Sequence, residues 1–367
     1  MTDHWRARAV IDLGALEHNL HTVRRLAGQA KIFAVVKADA YGHGIENIVP
    51  TALDHVDGFA VATLEEGIRC RSLAPLTPII VLSEFNASAQ LQTFADYSLQ
   101  PVVHGEYQLP WLQQYRGAAL DCWIKVDTGM NRLGVGKTIV TELMQTLNQY
   151  GAVNSLGIMS HLASADELES DQSMLQLREF THLAKQFDGP SSMGNSAAVV
   201  RSMTNQFDMV RPGLLLYGAS PMSDDAGTVM DLKPVMQLEA RLIEVKQIMK
   251  GETVGYGGSW TAPRACKIGV ACLGYADGYP RAASNRGQVL VNGVYAPVVG
   301  KVSMDMTTLD LSDCGAVAPG DIVQFWGPGL AVEKVAAWSD TISYELLCRV
   351  SPRVPRVIKN LPNGNHK

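Results

Sequence analysis

The chain has 367 residues, 47% apolar and 18% charged, with a formal net charge of −5. That length exceeds one ordinary core and suits a barrel-sized domain plus a smaller one; the acidic balance supplies no basic stripe for nucleic acid. No apolar run approaches the roughly 18 residues of a membrane span, the first eight residues lack a signal-peptide apolar region, and six cysteines show neither CxxC nor zinc-ligand spacing. A cytoplasmic protein acting on a small molecule, with no membrane or nucleic-acid partner, is the expectation.

In chain order, Ala9 to Leu13 leads into the helix-like Ala15-Leu16-Glu17-His18-Asn19-Leu20, placed ahead of the first barrel strand. The run Ile32-Phe33-Ala34-Val35-Val36 then reads as a buried parallel strand that ends on Lys37 in a Gly-rich turn. An ammonium held there loses hydration, which favours the neutral amine, and a neutral amine attacks a carbonyl to form a Schiff base. Further strand-like runs follow at Phe59 to Ala62, Ile79 to Leu82, Leu99 to Val103, Asp121 to Val126, Leu156 to Ser160, Ser191 to Gly194 and Met209 to Arg211. With Ala34 to Val36 they make eight, separated by helix-patterned segments, which suits a (β/α)8 barrel over residues 9–231 better than an open doubly wound sheet. Near Leu232 the pattern changes to alternating strands punctuated by turns such as Asn292-Gly293 and Pro319-Gly320. The fold class expected is therefore α/β + β: a TIM-type barrel, then an all-β domain over 232–367 against which residues 1–8 pack.

The odd polar residues share an address. Lys37, Lys125 with Asp127, His161, Asn195 with Ser196, and Arg211 each fall at or just after the C-terminal end of a strand-like run, the face on which barrel enzymes build their sites. Taken singly, His161 reads as a satisfied core histidine and Asn195-Ser196 as a helix cap; their convergence is what marks them.

The decapeptide Val35-Val36-Lys37-Ala38-Asp39-Ala40-Tyr41-Gly42-His43-Gly44 resembles the pyridoxal phosphate (PLP) attachment motif of the alanine racemase family, which has Asn or Asp at the position of Asp39. The resemblance implies that Lys37 binds PLP and that Tyr41 contacts its phosphate. Lys125-Val126-Asp127-Thr128-Gly129-Met130-Asn131-Arg132 is similar to the family segment whose arginine meets the substrate carboxylate, so Arg132 is the implied anchor, and the family's lysine at Lys125 can be carbamylated. Asn195 and Ser196, Gly213 and Leu214 are implied phosphate contacts, with Arg211 beside the pyridine nitrogen and His161 backing it. A guanidinium only donates, which leaves the ring nitrogen an acceptor and suits racemisation better than transamination.

The resemblance continues into the last third. Gly255-Tyr256-Gly257-Gly258 places Tyr256 at the family's catalytic tyrosine; Tyr275 and Asp305 belong to the entrance blocks, Met304 offers its backbone N–H to the carboxylate, and Tyr344 touches phosphate. It implies a homodimer in which each β domain covers the other subunit's barrel, bringing Tyr256 to the face of the substrate opposite Lys37, with alanine as substrate. Rival readings are a PLP-dependent decarboxylase, against which the Arg211 and Tyr256 blocks argue, a PLP-binding barrel protein, which lacks a β domain, and a non-catalytic barrel with Lys37 solvated.

Overall fold

The computed structural model describes residues 5–360 except 205 and 223–230. The strands of the first two thirds are β1 (Ala7–Asp12), β2 (Lys31–Val35), β3 (Gly58–Val61), β4 (Ile79–Val81), β5 (Gln100–Val103), β6 (Leu120–Asp127), β7 (Val135–Gly136), β8 (Val153–Met159), β9 (Ser191–Gly194) and β10 (Met209–Val210). From β2 through β5, β6, β8 and β9 to β10 every pairing is parallel, and β10 pairs back onto β2, closing an eight-stranded barrel with β7 appended to β6. Each of the eight expected runs is a strand of this barrel. Phe33, Ile80, Val102, Trp123, Met159 and Met209, drawn from six strands, form a separate apolar cluster that makes the barrel centre a packed core.

Local sequence explains how the crossover helices begin. Thr63 caps Leu64–Leu73: its hydroxyl accepts the Glu66 N–H at 3.2 Å while the Glu66 carboxylate accepts the Thr63 N–H at 3.3 Å, the reciprocal T-x-x-E box. Asp12 caps Leu13–Ala27 by accepting the Ala15 N–H at 3.0 Å.

The second unit contains β11 (Met236–Ile248), β12 (Thr253–Val254), β13 (Trp260–Thr261), β14 (Cys266–Ala271), β15 (Gln288–Val291), β16 (Val294–Pro297), β17 (Thr307–Asp310), β18 (Ile322–Trp326) and β19 (Arg356–Lys359). Its long strand β11 pairs with β14 and β18, and also with β1, which lies parallel to β19 on its other side. Residues 9–12, read from sequence as the start of the 9–231 unit, are thus hydrogen-bonded into the sheet of the second one. Alternation in Ala7-Arg8-Ala9-Val10-Ile11-Asp12, with Ala7, Ala9 and Ile11 buried, suits a strand buried on one face, unlike the continuous apolar runs of the barrel.

Asp277 ties this arrangement together. Its fully buried carboxylate accepts the Gly274 N–H at 2.9 Å, pairs with Arg353 at 3.1 Å and is closely paired with Arg6, whose guanidinium also reaches the Cys272 carbonyl at 2.9 Å. The carboxylate lies beside Arg6 and holds that guanidinium above its ordinary pKa. Because both arginines are partly exposed, the pairing is worth less than a fully buried one. Asp277→Asn removes the charge that offsets two cations and should lower unfolding free energy by about 2–3 kcal/mol, read as a fall in urea midpoint at unchanged slope.

Candidate active site

A cavity of about 620 Å³ opens at the C-terminal ends of the barrel strands. Lys37, Tyr41, Lys125, Arg132, His161, Asn195, Ser196, Arg211, Gly213, Leu214 and Tyr344 all line it, so the structure brings these residues together. A second cavity, about 650 Å³, lies at the opposite end around Phe33, Gln100 and Trp123; Lys37 and the other proposed site residues do not line it. Tyr256, Tyr275, Met304 and Asp305 line neither described cavity. They lie on the β unit, where Tyr256 is 70% exposed between Gly255 and Gly257, both at positive φ, and Met304 is 52% exposed.

Lys37 leaves β2 on an unusual turn. Ala38, Asp39, Ala40 and Tyr41 all have φ of 52–53°, a left-handed helical turn made without glycine. Such a conformation costs about 1–2 kcal/mol per residue, so surrounding bonds must hold it. Glu66, besides its capping role, accepts the Ala38 N–H at 2.6 Å; Asp39 accepts the Ile45 N–H at 3.1 Å and pairs with Arg69 at 3.0 Å. Gly42 follows at φ 77°, where an added Cβ would stand 2.3 Å from the Leu347 carbonyl oxygen. Beneath the turn Tyr41 stacks on Tyr217 at 4.8 Å between ring centres, and the Tyr217 hydroxyl donates to the Val35 carbonyl at 2.9 Å.

The charges of the cavity are overwhelmingly positive. Burial, then the Arg132 and Arg211 guanidinium groups, lower the Lys37 pKa against opposing contributions from Glu66 and Cys348. Lys125 is pushed down to about 8 by burial, then by Arg211, Arg132 and Lys37, with Asp127 opposing. Burial and the same cations push His161 well below its ordinary value, so it is neutral near pH 7. Arg211, lowered by burial to about 10, stays protonated there and donates to the Ser192 hydroxyl and, at 2.5 Å, to the Ser160 carbonyl. Its hydrogen-bonding supports are these two serines; His161 lines the same cavity and makes no hydrogen bond to it, and the Arg211 charge helps to lower the His161 pKa.

At the mouth, Asp127 accepts the N–H groups of Gly129, Met130 and Asn131 at 2.9, 3.0 and 3.1 Å, fixing the loop that presents Arg132. On the far wall Asn195 caps Ser196–Val200 by accepting the Ala198 N–H at 3.0 Å, and Ser196 Oγ accepts the Gly213 N–H at 2.9 Å. The bland cap reading of Asn195 and its place in the cavity are therefore both true. A Cβ on Gly213 would lie 2.4 Å from the Tyr41 hydroxyl, so glycine is what leaves room there. Hydroxyls and backbone N–H groups cluster here, with cations elsewhere on the walls: a donor set suited to phosphate and carboxylate oxygens. Tyr344 and Cys348 share one helical face of Ser343–Arg349, an i,i+4 relation that brings the cysteine to the cavity as well. Sequence reading missed Cys348, Glu66, Tyr217, Ser160 and Ser192. Of these only Glu66 had a local signal, the capping box.

Two family models match: that described as alanine racemase, N-terminal domain, over residues 11–221, and that described as alanine racemase, C-terminal domain, over 235–358. A protein named alanine racemase from Nitrosococcus oceani is 46% identical over 357 residues, 96% of this chain and 99% of that one. Among solved structures, a biosynthetic alanine racemase from Pseudomonas aeruginosa superposes with a TM-score of 0.94 at 39% identity, covering 97% of this chain and 100% of the other. The alanine racemase of Bartonella henselae, solved with covalently bound pyridoxal phosphate, superposes with a TM-score of 0.88 at 30% identity, covering 97% and 100%. Full-length similarity joined to a barrel-mouth cavity of this composition leads to one conclusion: the chain belongs to the alanine racemase family.

Proposed function

We propose that this chain interconverts L-alanine and D-alanine as a homodimer, with PLP on Lys37 and each site completed by Tyr256 of the partner subunit. The observation that carries the reading is the cavity in which Lys37, depressed toward its neutral amine, faces anion-binding groups on several walls. Those groups fit the cofactor: Tyr41, Asn195, Ser196, Gly213, Leu214 and Tyr344 are the proposed phosphate cradle, and Arg211 the donor to the ring nitrogen. When bound, PLP supplies an electron sink that acidifies the amino acid's Cα–H. The division into a barrel unit ending at 231 and a β unit from 232, with residues 7–12 joined to the latter, belongs to the same proposal.

The remaining steps fall to side chains. Arg132, with the Met304 N–H from the partner, holds the substrate carboxylate and so fixes which bond at Cα faces which base. Lys37 takes the proton on one face as the neutral amine or returns it as the ammonium, and Tyr256 does the same on the other face as phenolate and phenol. Lys125 keeps an appreciable neutral fraction near pH 8, the form that adds carbon dioxide; the resulting carbamate beside Arg132 would orient it. Exposure of Tyr256, Tyr275 and Met304 supports a partner's barrel as their place of work, because none of them lines the described cavity of its own chain.

The test of function is chiral chromatography after incubating purified protein with PLP and L-alanine. Approach to an equal mixture of enantiomers is expected, and retention of optical purity would overturn the reading. The shared site has its own arithmetic. Homodimers of Lys37→Ala or of Tyr256→Phe should be nearly inactive, since each site lacks one base. Refolding the two variants together at equal concentration makes about half the dimers hybrid, and one site in each hybrid then has both bases, giving about one quarter of wild-type activity. Differently tagged chains verify mixing; proven hybrids without rescue would place Tyr256 in the site of its own subunit.

A further inference from the structure

His43 lies in the Lys37 decapeptide yet has no part in the steps above. It is fully buried, with Nδ1 at 2.9 Å from both the Ala40 and the Tyr41 carbonyl oxygens. Two acceptors fix the proton on Nδ1, and among the described residues Nε2 has no hydrogen-bond partner. The ring stacks on Tyr217 at 4.5 Å, on the same phenol that stacks on Tyr41 and whose hydroxyl holds Val35. One imidazole therefore touches the left-handed turn at its end and, through Tyr217, the strand from which Lys37 emerges.

The left-handed turn gives this placement a purpose. Its backbone closes by Ala40 N–H to Val36 and Gly42 N–H to Ala38, each at 2.9 Å. The carbonyls of Ala40 and Tyr41 lie at its far end, where His43 supplies a side-chain donor to both. Burial keeps the imidazole neutral by pushing it down to about 4, so across the working range it is a fixed neutral donor with no charge to solvate.

We propose that His43 is a positioning residue: its Nδ1–H clasps the strained left-handed turn and its ring braces Tyr217, thereby setting where the Lys37 amine and the Tyr41 hydroxyl stand for the cofactor. The inference rests on reading Lys37 as the PLP lysine. A histidine that merely filled the core would be replaced without loss by phenylalanine, which keeps a flat ring and removes the unpartnered Nε2. A clasp would be lost with that replacement and partly restored by asparagine, whose side-chain amide nitrogen falls close to the place of Nδ1.

The test compares wild type, His43→Phe and His43→Asn by equilibrium dialysis of PLP from the holoenzyme, by backbone hydrogen exchange over residues 38–44, and by thermal unfolding. His43→Phe should unfold near the wild-type temperature, release PLP about tenfold more readily and exchange faster over 38–44, the size expected for losing one buried hydrogen-bond donor to strained acceptors. His43→Asn should recover most of the affinity and of the protection. Wild-type affinity and exchange in His43→Phe would overturn the proposal, as would an Asn variant no better than Phe. Should His43→Phe not fold, His43→Asn decides: affinity near wild type sustains the clasp, and a tenfold loss contradicts it. Wild-type protein that bound no PLP would overturn the cofactor reading instead, while exchange over 38–44 would still report on the turn.

Discussion

Positive charge forced into a concave, partly dry space is the constraint on which the rest depends. Lys37, Lys125, Arg132 and Arg211 converge on one cavity, with His161 among them. Burial and the neighbouring cations lower the pKa values of Lys37 and Lys125, and they leave His161 neutral near pH 7. The arginines remain charged and need anions. A site with two lysines shifted toward their neutral amines and two guanidinium groups is prepared for a molecule that brings a carbonyl, a phosphate and a carboxylate.

Holding that arrangement requires strain in the backbone. Four consecutive left-handed residues after Lys37 are unfavourable alone, and Glu66, Asp39 with Arg69, His43 and the Tyr41–Tyr217 stack hold them from several sides. Glu66 makes the coupling concrete, since one carboxylate starts a barrel helix with one oxygen and fixes the Ala38 N–H with the other. The turn is thus part of the barrel's own packing. Arg356, whose guanidinium donates to the Gly42 carbonyl at 3.0 Å, carries the same tie across to the last strand of the β unit.

What was legible in the sequence followed from periodicity and strand ends. Most of the eight barrel strands came from short apolar runs, because parallel strands buried on both faces leave that trace, although Ser191–Gly194 begins with two serines. Barrel geometry then placed Lys37, Lys125, His161, Asn195 and Arg211 at one rim without further information. Long-range partners left no such trace. Nothing near Ala7–Asp12 announces pairing with β11 and β19, more than two hundred residues away, and the order of Ser192 along β9 does not reveal that its hydroxyl would meet Arg211. The left-handed turn was equally hidden, since Ala-Asp-Ala-Tyr has ordinary right-handed propensities and only its surroundings enforce the other hand.

The central claim is that this field selects Lys37, among all lysines of the chain, as the amine that holds the cofactor. The most direct measurement is borohydride reduction of the protein equilibrated with PLP, followed by digestion and mass mapping of the phosphopyridoxyl group. The account predicts the group on the peptide carrying Lys37, at about one per chain, because that amine is both lowered and presented to the phosphate cradle. Label on Lys125, or spread over surface lysines with Lys37 unmodified, would contradict it.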